Sequence, residues 1–312
     1  MRTIILERNR LVARRIARIW SATGLDPVCV EDPDDLAAAL PGAGLLAADI
    51  FDGEIVRATL RERRDLVAVL FSAEPLERAL RIAADEPRID HIFGRPSHDT
   101  TPRDWELALF GRRLGHLHST GTPFGAFLAW GYSGWKQSIA SSAQIGEAVA
   151  AVQAFMARLG LPKRVADMFG ELAHELLMNA VYDAPIDASG RARHAHDRKT
   201  AVVLGPEEAA TLRLGTDGVR LVLQVTDPFG LLERTHVFAG LLRALGGQMD
   251  TGGGGAGLGL AVCANATVAL FVDVVPGHKT EVTGVFDLDL NLREFRSQAK
   301  SLHYFAATAG KG

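Results

Sequence analysis

Short apolar runs alternate with amphipathic stretches through the first 95 residues, and this alternation restricts the fold more than any other feature of the chain. Thr3–Leu6, Pro27–Val30, Leu45–Asp49, Leu66–Ser72 and His91–Phe93 read as strands, while Leu11–Thr23, Asp34–Leu40, Ile55–Arg61 and Glu77–Ala84 read as helices. Strands separated by whole helices cannot form hairpins; they must lie parallel, with the helices as crossovers on the sheet faces. The expectation for residues 1–113 is therefore an α/β domain with a doubly wound parallel sheet, whose sites form at the carboxyl ends of its strands. The first helix carries Arg14, Arg15 and Arg18 on one face, read as solvated surface rather than a nucleic-acid patch.

At 312 residues and 47% hydrophobic, the chain can bury two cores, so a second domain is expected. Gly115 to Gly134 is rich in Gly, Ser, Thr, His and aromatic residues and has no periodicity. Residues 114–140 are accordingly assigned to a linker, 141–295 to the second domain and 296–312 to a C-terminal tail, either a terminal helix or a frayed end. A net charge of −3 gives no overall field that would favour nucleic acid or an anionic membrane. Cys29 and Cys263 lie far apart in apolar stretches, which reads as two buried thiols in a reducing compartment. Glu7, Arg8 and Arg10 follow the first strand at once and leave no room for the apolar core of a signal peptide. A cytoplasmic protein is expected. The most apolar window, Ala256–Val275, changes period midway and reads as loop, helix and strand, not as a membrane span.

Glu7-Arg8, Asp49, Ser72 and Arg95-Pro96 stand at the carboxyl ends of the predicted strands. In that placement residues 1–113 resemble the receiver domain of bacterial response regulators, a flavodoxin-like fold. The resemblance implies Asp49 as a phosphoacceptor, with an acidic pair, a Ser/Thr and a Lys-Pro around it. Arg8 puts a cation where a Mg²⁺ ligand is expected, and Arg95 replaces a compact ammonium with a planar fork. The favoured reading is a degenerate receiver used for protein contact; a plain strand-end carboxylate in a flavodoxin-like domain is the alternative.

The second half carries the chemistry. In Glu171-Leu-Ala-His-Glu175-Leu-Leu-Met-Asn179-Ala-Val-Tyr-Asp183 the residues Glu175, Asn179 and Asp183 recur every four positions, which stacks them on one helix face within a helix expected over Arg164–Ala184. An amide oxygen is a hard Mg²⁺ ligand, and a carboxylate one turn before it can orient a nucleophile; a plain polar face has the same spacing. Further on, a strand over Val219–Val225 ends in Thr226-Asp227-Pro-Phe-Gly230, a turn with a carboxylate at its mouth. Thr251 is followed by Gly252-Gly253-Gly254-Gly255-Ala-Gly257-Leu258-Gly259-Leu and then an apolar helix over Ala261–Leu270. Side-chain-free backbone leading into a helix N-terminus can gather N–H groups on phosphate oxygens; the competing reading is a flexible linker. A strand over Leu270–Val275, a turn and a strand from Thr280 complete the pattern.

This order of helix, strand-Asp, glycine run, helix and hairpin resembles the GHKL superfamily, which includes histidine kinases, gyrase and anti-sigma-factor serine kinases. The resemblance implies an α+β Bergerat-fold sandwich that binds ATP and Mg²⁺. It implies that Asn179 holds Mg²⁺, that Asp227 and Thr280 fix adenine, that Gly253, Gly255, Gly257, Leu258 and Gly259 wrap the triphosphate, and that Glu175 is the general base. Asp183 and Gly230 join the cofactor-binding set. The family's Asp-x-Gly-x-Gly turn is here Asp227-Pro-Phe-Gly230, with one glycine, shifted. His174 precedes Glu175, but no upstream helical hairpin carries an acceptor histidine, so autophosphorylation is not expected. The layout is closer to the anti-sigma serine kinases. His116 with His118 and His194 with His196 lack a third ligand at metal-binding spacing and read as loop histidines. Two functions follow: transfer of the γ-phosphoryl to a Ser or Thr of a signalling partner protein, or a catalytically weak nucleotide-gated binding module. A homodimer is left open.

Overall fold

The computed structural model describes residues 1–115, 121–187, 189–195, 197–247, 256–289 and 291–307. They fall into two units, residues 1–119 with 292–303 and residues 120–291 with 304–312.

The first unit is built as the alternation predicts. Strands β1 (Arg2–Leu6), β2 (Asp26–Val30), β3 (Ala43–Asp49), β4 (Val67–Ser72) and β5 (Ile89–Gly94) alternate with helices α1 (Arg10–Ser21), α2 (Leu36–Ala39), α3 (Gly53–Glu62) and α4 (Leu76–Ala83), and α5 (Asp104–Gly115) follows. All four pairings among β1 to β5 are parallel, in the order β2-β1-β3-β4-β5, the flavodoxin-like arrangement that receiver domains share. Central strands β3 and β4 are buried almost throughout, as strands covered on both faces must be. Helix α1 starts where Asn9 accepts from the Leu11 and Val12 N–H groups, satisfying donors the helix itself cannot. It buries Val12, Ala13, Ile16 and Trp20 and leaves Arg14, Arg15 and Arg18 exposed. Cys29, expected to be buried, is exposed: β2 ends the sheet, and its outer positions face solvent.

In the second unit β6 (Ser133–Ile139), α6 (Ala143–Arg158), α7 (Lys163–Met178), β7 (Ala210–Thr216), β8 (Arg220–Asp227), α8 (Arg234–Leu245), α9 (Ala256–Asn265), β9 (Ala269–Val275) and β10 (Lys279–Asp287) form an antiparallel sheet of order β9-β10-β8-β7-β6 with helices packed on one face. Phe169 of α7 meets Phe286 of β10 edge to face at 5.8 Å. Gly284 lets α7 come close: a Cβ there would run into Thr267 and crowd Leu172. On the other face Phe127 packs on Phe271 at 5.0 Å and the Thr122 hydroxyl donates to Asp273 at 3.3 Å. Residues 121–139, read as part of the linker 114–140, thus supply a buried plug and an edge strand. Their period was hidden because β6 is exposed along most of its length and gives no apolar alternation.

The expected tail is also structured. Helix α10 (Leu292–Ser297) and strand β11 (Ser301–Ala306) follow the second unit's last strand, and β11 pairs antiparallel with β5 through Leu302↔Ile92 and His303↔His91. His303 Nε2 lies 2.7 Å from Glu106 Oε1 of α5, both fully buried. Within the second unit, the Tyr304 hydroxyl donates to the Leu232 carbonyl and the Ala307 N–H to that of Val274. Among the described residues no helix is long and apolar enough to cross a membrane.

Candidate functional site

Helix α7 does not run to Ala184 as its periodicity suggests. At Asn179 it widens into a π-helical turn, Asn179–Asp183, closed by the Ala184 N–H to the Asn179 carbonyl at 2.9 Å. Such turns insert one extra residue per bond and commonly occur where a helix presents side chains to a site. Asn179, Ala180, Asp183 and Ala184 all border one cavity of about 130 Å³. Leu176 of α7 borders it as well, and the rest of its wall comes from distant segments: Val225 and Asp227 of β8, Leu231 and Leu232 after it, Leu260 of α9, and Thr280 and Val282 of β10. Asp227 and Thr280 are register partners across β8 and β10, so the antiparallel pairing itself sets them side by side.

The polar groups of this cavity are held under constraint. Asp227 is 9% exposed, and burial pushes its carboxyl up from 3.8 to about 6 against the opposing hydrogen bonds donated by the Phe229 and Gly230 N–H groups and by Thr280. The Phe229 N–H contact is 2.9 Å. Asn179 Oδ1 is buried without a hydrogen-bond partner among the described residues, an acceptor whose desolvation none of them offsets. Asp183 is ion-paired with Arg198; burial raises its carboxyl pKa, opposed by that arginine. Arg198 comes from the excursion over 184–204, whose Thr200 carbonyl also accepts from Tyr182 at 3.0 Å.

Glu175 has a different place. Its carboxylate borders a neighbouring groove of about 480 Å³ together with Asp167, Glu171 and His174, one helical turn before Asn179. A Cβ built on Gly259 would collide with Glu175 Oε2, so the glycine at the start of α9 is what lets that helix sit against the carboxylate. Leu258 is largely exposed and borders neither space. Gly257 lies in the first turn of α9. Gly253 and Gly255 fall outside the described residues, as do His116, His118 and His196. Gly230, grouped above with the ligand-binding residues, serves the fold: it has φ +67°, and a Cβ there would strike the Val275 carbonyl and the Gly277 and His278 amides. The apolar wall formed by Leu176, Leu231, Leu232 and Leu260 was not singled out in the sequence, because such residues look like ordinary core.

In the first unit the strand-end residues meet as the parallel topology requires, but a cation fills their centre. Arg95 is buried; its Nη1 donates to Glu7 Oε2 at 2.7 Å and its Nη2 to Asp49 Oδ2 at 2.5 Å. Asp49 Oδ1 accepts from the Phe51 N–H at 2.9 Å, so both carboxylate oxygens are engaged. Arg8 turns away to a bidentate pair with the buried Asp52, at 2.6 and 2.7 Å. His98 lies tilted against Phe51, with ring centroids 4.6 Å apart, and stands 3.4 Å from Asp49 Oδ2. A phosphoryl group on Asp49 would have to displace Arg95, one guanidinium balancing two buried carboxylates.

No protein-family model and no curated protein matches the chain. Among solved structures it is similar to an orphan response regulator of H. pylori, at 15% identity over 37% of this chain and 93% of that one with a TM-score of 0.30. It is similar to a sensor protein from Polaromonas sp. JS666, at 19% identity over 36% and 93% with a TM-score of 0.30. It is also similar to the SiaB-SiaC complex from Pseudomonas aeruginosa, at 14% identity over 58% and 98% with a TM-score of 0.32. The first unit is receiver-like in strand order and in the placement of Glu7, Asp49, Ser72 and Arg95 at its strand ends.

Proposed function

We propose that the second unit is a Bergerat-type nucleotide-binding domain that transfers the γ-phosphoryl of ATP to a Ser or Thr of a partner protein. The observation that carries this reading is the convergence of Asn179, Asp227 and Thr280, from three separate elements, on one largely apolar cavity. Small-molecule sites are built this way, as apolar walls with a few fixed polar groups. The ionised Asp227 carboxylate would accept from an exocyclic amino group, beside the Thr280 hydroxyl. Asn179 fits a metal role because its Oδ1 is a buried hard-oxygen acceptor with no partner among the described residues. Mg²⁺ held there would neutralise phosphate charge. Glu175, one turn away, borders the groove through which an acceptor hydroxyl would approach, and would take its proton.

The position of Glu175 outside the cavity wall also supports the second reading, a nucleotide-gated binding module without turnover. In both readings the first unit acts by contact independently of phosphorylation, since Arg95 already occupies Asp49 and bridges it to Glu7. Calorimetric titration with ATP and ADP, with and without Mg²⁺, tests the site. Glu175→Gln is expected to bind ATP·Mg²⁺ like the parent and to abolish hydrolysis and transfer, whereas Asn179→Ala loses the Mg²⁺-dependent part of binding. Equal loss of binding in both variants refutes the roles assigned. Intact binding with no hydrolysis or labelling of any partner by the parent leaves the module.

A further inference from the structure

A separate cavity of about 470 Å³ lies on the edge strand β6, bordered by Phe124, Tyr132, Gly134, Trp135, Lys136 and Arg213. Lys136 and Arg213 are register partners across β6 and β7. Side chains so placed have Cβ atoms roughly 4.5–5.5 Å apart, where like charges repel. The row offers no relief: Gln224 is the next partner of Arg213 on β8, and the flanking pairs Gly134↔Gly215 and Ser138↔Thr211 are uncharged. Neither cation has an ion-pair or hydrogen-bond partner among the described residues. Elsewhere in this unit Arg193, Arg220 and Lys279 each have a carboxylate within 3 Å. Aromatic rings flank the two charges. Phe124 and Tyr132 meet edge to face at 5.8 Å; Trp135, paired with the buried Leu214, points to the opposite sheet face. Glycines allow close packing there: a Cβ on Gly134 would strike the Leu214 carbonyl, and one on Gly215 would crowd the Phe124 ring.

We propose that this cavity binds a small heteroaromatic phosphate of mononucleotide size, independently of the cavity at Asn179. Tyr132, 41% exposed and backed by the buried Phe124, offers a stacking surface to a flat base, which is sequence-tolerant because every base has a π-face. Arg213 offers a planar fork and Lys136 a point charge to one phosphate, whose negative charge relieves their repulsion. Two cations in a chain of net charge −3 suit one discrete phosphate better than a polyanion, whose backbone needs a longer basic track.

The test is calorimetric titration of the full chain with UMP, phenyl phosphate, inorganic phosphate and uridine, repeated in Lys136→Gln/Arg213→Gln and in Asp227→Asn. UMP is expected to bind about tenfold more tightly than inorganic phosphate or uridine, to lose about tenfold in the double variant, and to bind Asp227→Asn unchanged. The double variant removes opposed like charges, so its thermal midpoint should equal or exceed the parent's; a lower one contradicts the repulsion argument. Binding of no probe, or of UMP equally in parent and double variant, overturns the proposal. So does inorganic phosphate binding as well as UMP, which reduces the cavity to an anion contact. Phenyl phosphate binding more tightly than UMP overturns the mononucleotide class, and loss of UMP binding in Asp227→Asn assigns it to the other cavity.

Discussion

Replacing Asp227 by Asn is expected to make the protein more stable while weakening its nucleotide binding. Burial raises the Asp227 carboxyl from 3.8 to about 6, a difference of about 2 units, so keeping it ionised in the folded chain costs about 3 kcal/mol. Between those values the folded state binds more protons than the unfolded state. Stability of the parent therefore falls as pH rises through that window, and the loss is complete above it. Asn carries no charge and escapes this cost. Asn keeps one acceptor oxygen, which can still take the Phe229 bond, but its NH₂ group cannot accept, so one or two of the bonds now donated by Gly230 and Thr280 are lost, at about 1 kcal/mol each. The net expectation near pH 7.5 is a gain of about 1–2 kcal/mol, or roughly 2–8 °C in Tm for a unit of this size. Scanning calorimetry of parent and variant from pH 4 to 7.5 reads it directly: the gap should be small at pH 4 and open by pH 7. A gap that does not change with pH, or a variant less stable at pH 7.5, refutes the reasoning. ATP titration of the same variant should show weaker binding, since the carboxylate acceptor is gone.

Gly259→Ala should pass almost unnoticed in thermal melts, because its Cβ meets the movable end of Glu175. Phosphoryl transfer should nevertheless fall as that carboxylate is pushed aside, and full activity would detach Glu175 from the chemistry. Arg95→Ala leaves Glu7 and Asp49 buried and uncompensated and should cost about 3–5 kcal/mol in urea unfolding at neutral pH. Gly94→Ala would drive a Cβ into the Ala299 carbonyl of the C-terminal segment. Overpacking against backbone should cost about 1–3 kcal/mol, and limited proteolysis should then release the segment from 292 onward before the rest of the first unit is cut.

The first unit's sheet was legible because its strands are short, apolar and separated by helices, and that local period leaves few topologies open. Strand β6 and the Phe124–Phe127 plug were not, since an exposed edge and a single turn carry no period to read. Strand β11 was missed for another reason: Ser301–Ala306 pairs with β5, some 200 positions away in sequence, and nothing local announces that partner. The site divides in the same way. Four-residue spacing marked Glu175, Asn179 and Asp183 as neighbours, but the π-helical turn after Met178 sends Asn179 and Asp183 to the cavity and leaves Glu175 at the groove.

By itself, the sequence determined which residue types are present for the chemistry and which segments repeat with strand or helix period, because those depend on neighbours a few positions apart. Only the tertiary structure decided that Arg95 closes the acidic site of the first unit, that Gly230 serves a turn, and that Asp227 and Thr280 face one another. Each of these depends on register between strands or on space left by a distant element, and the free energy of burying a charge is set by whatever surrounds it after folding.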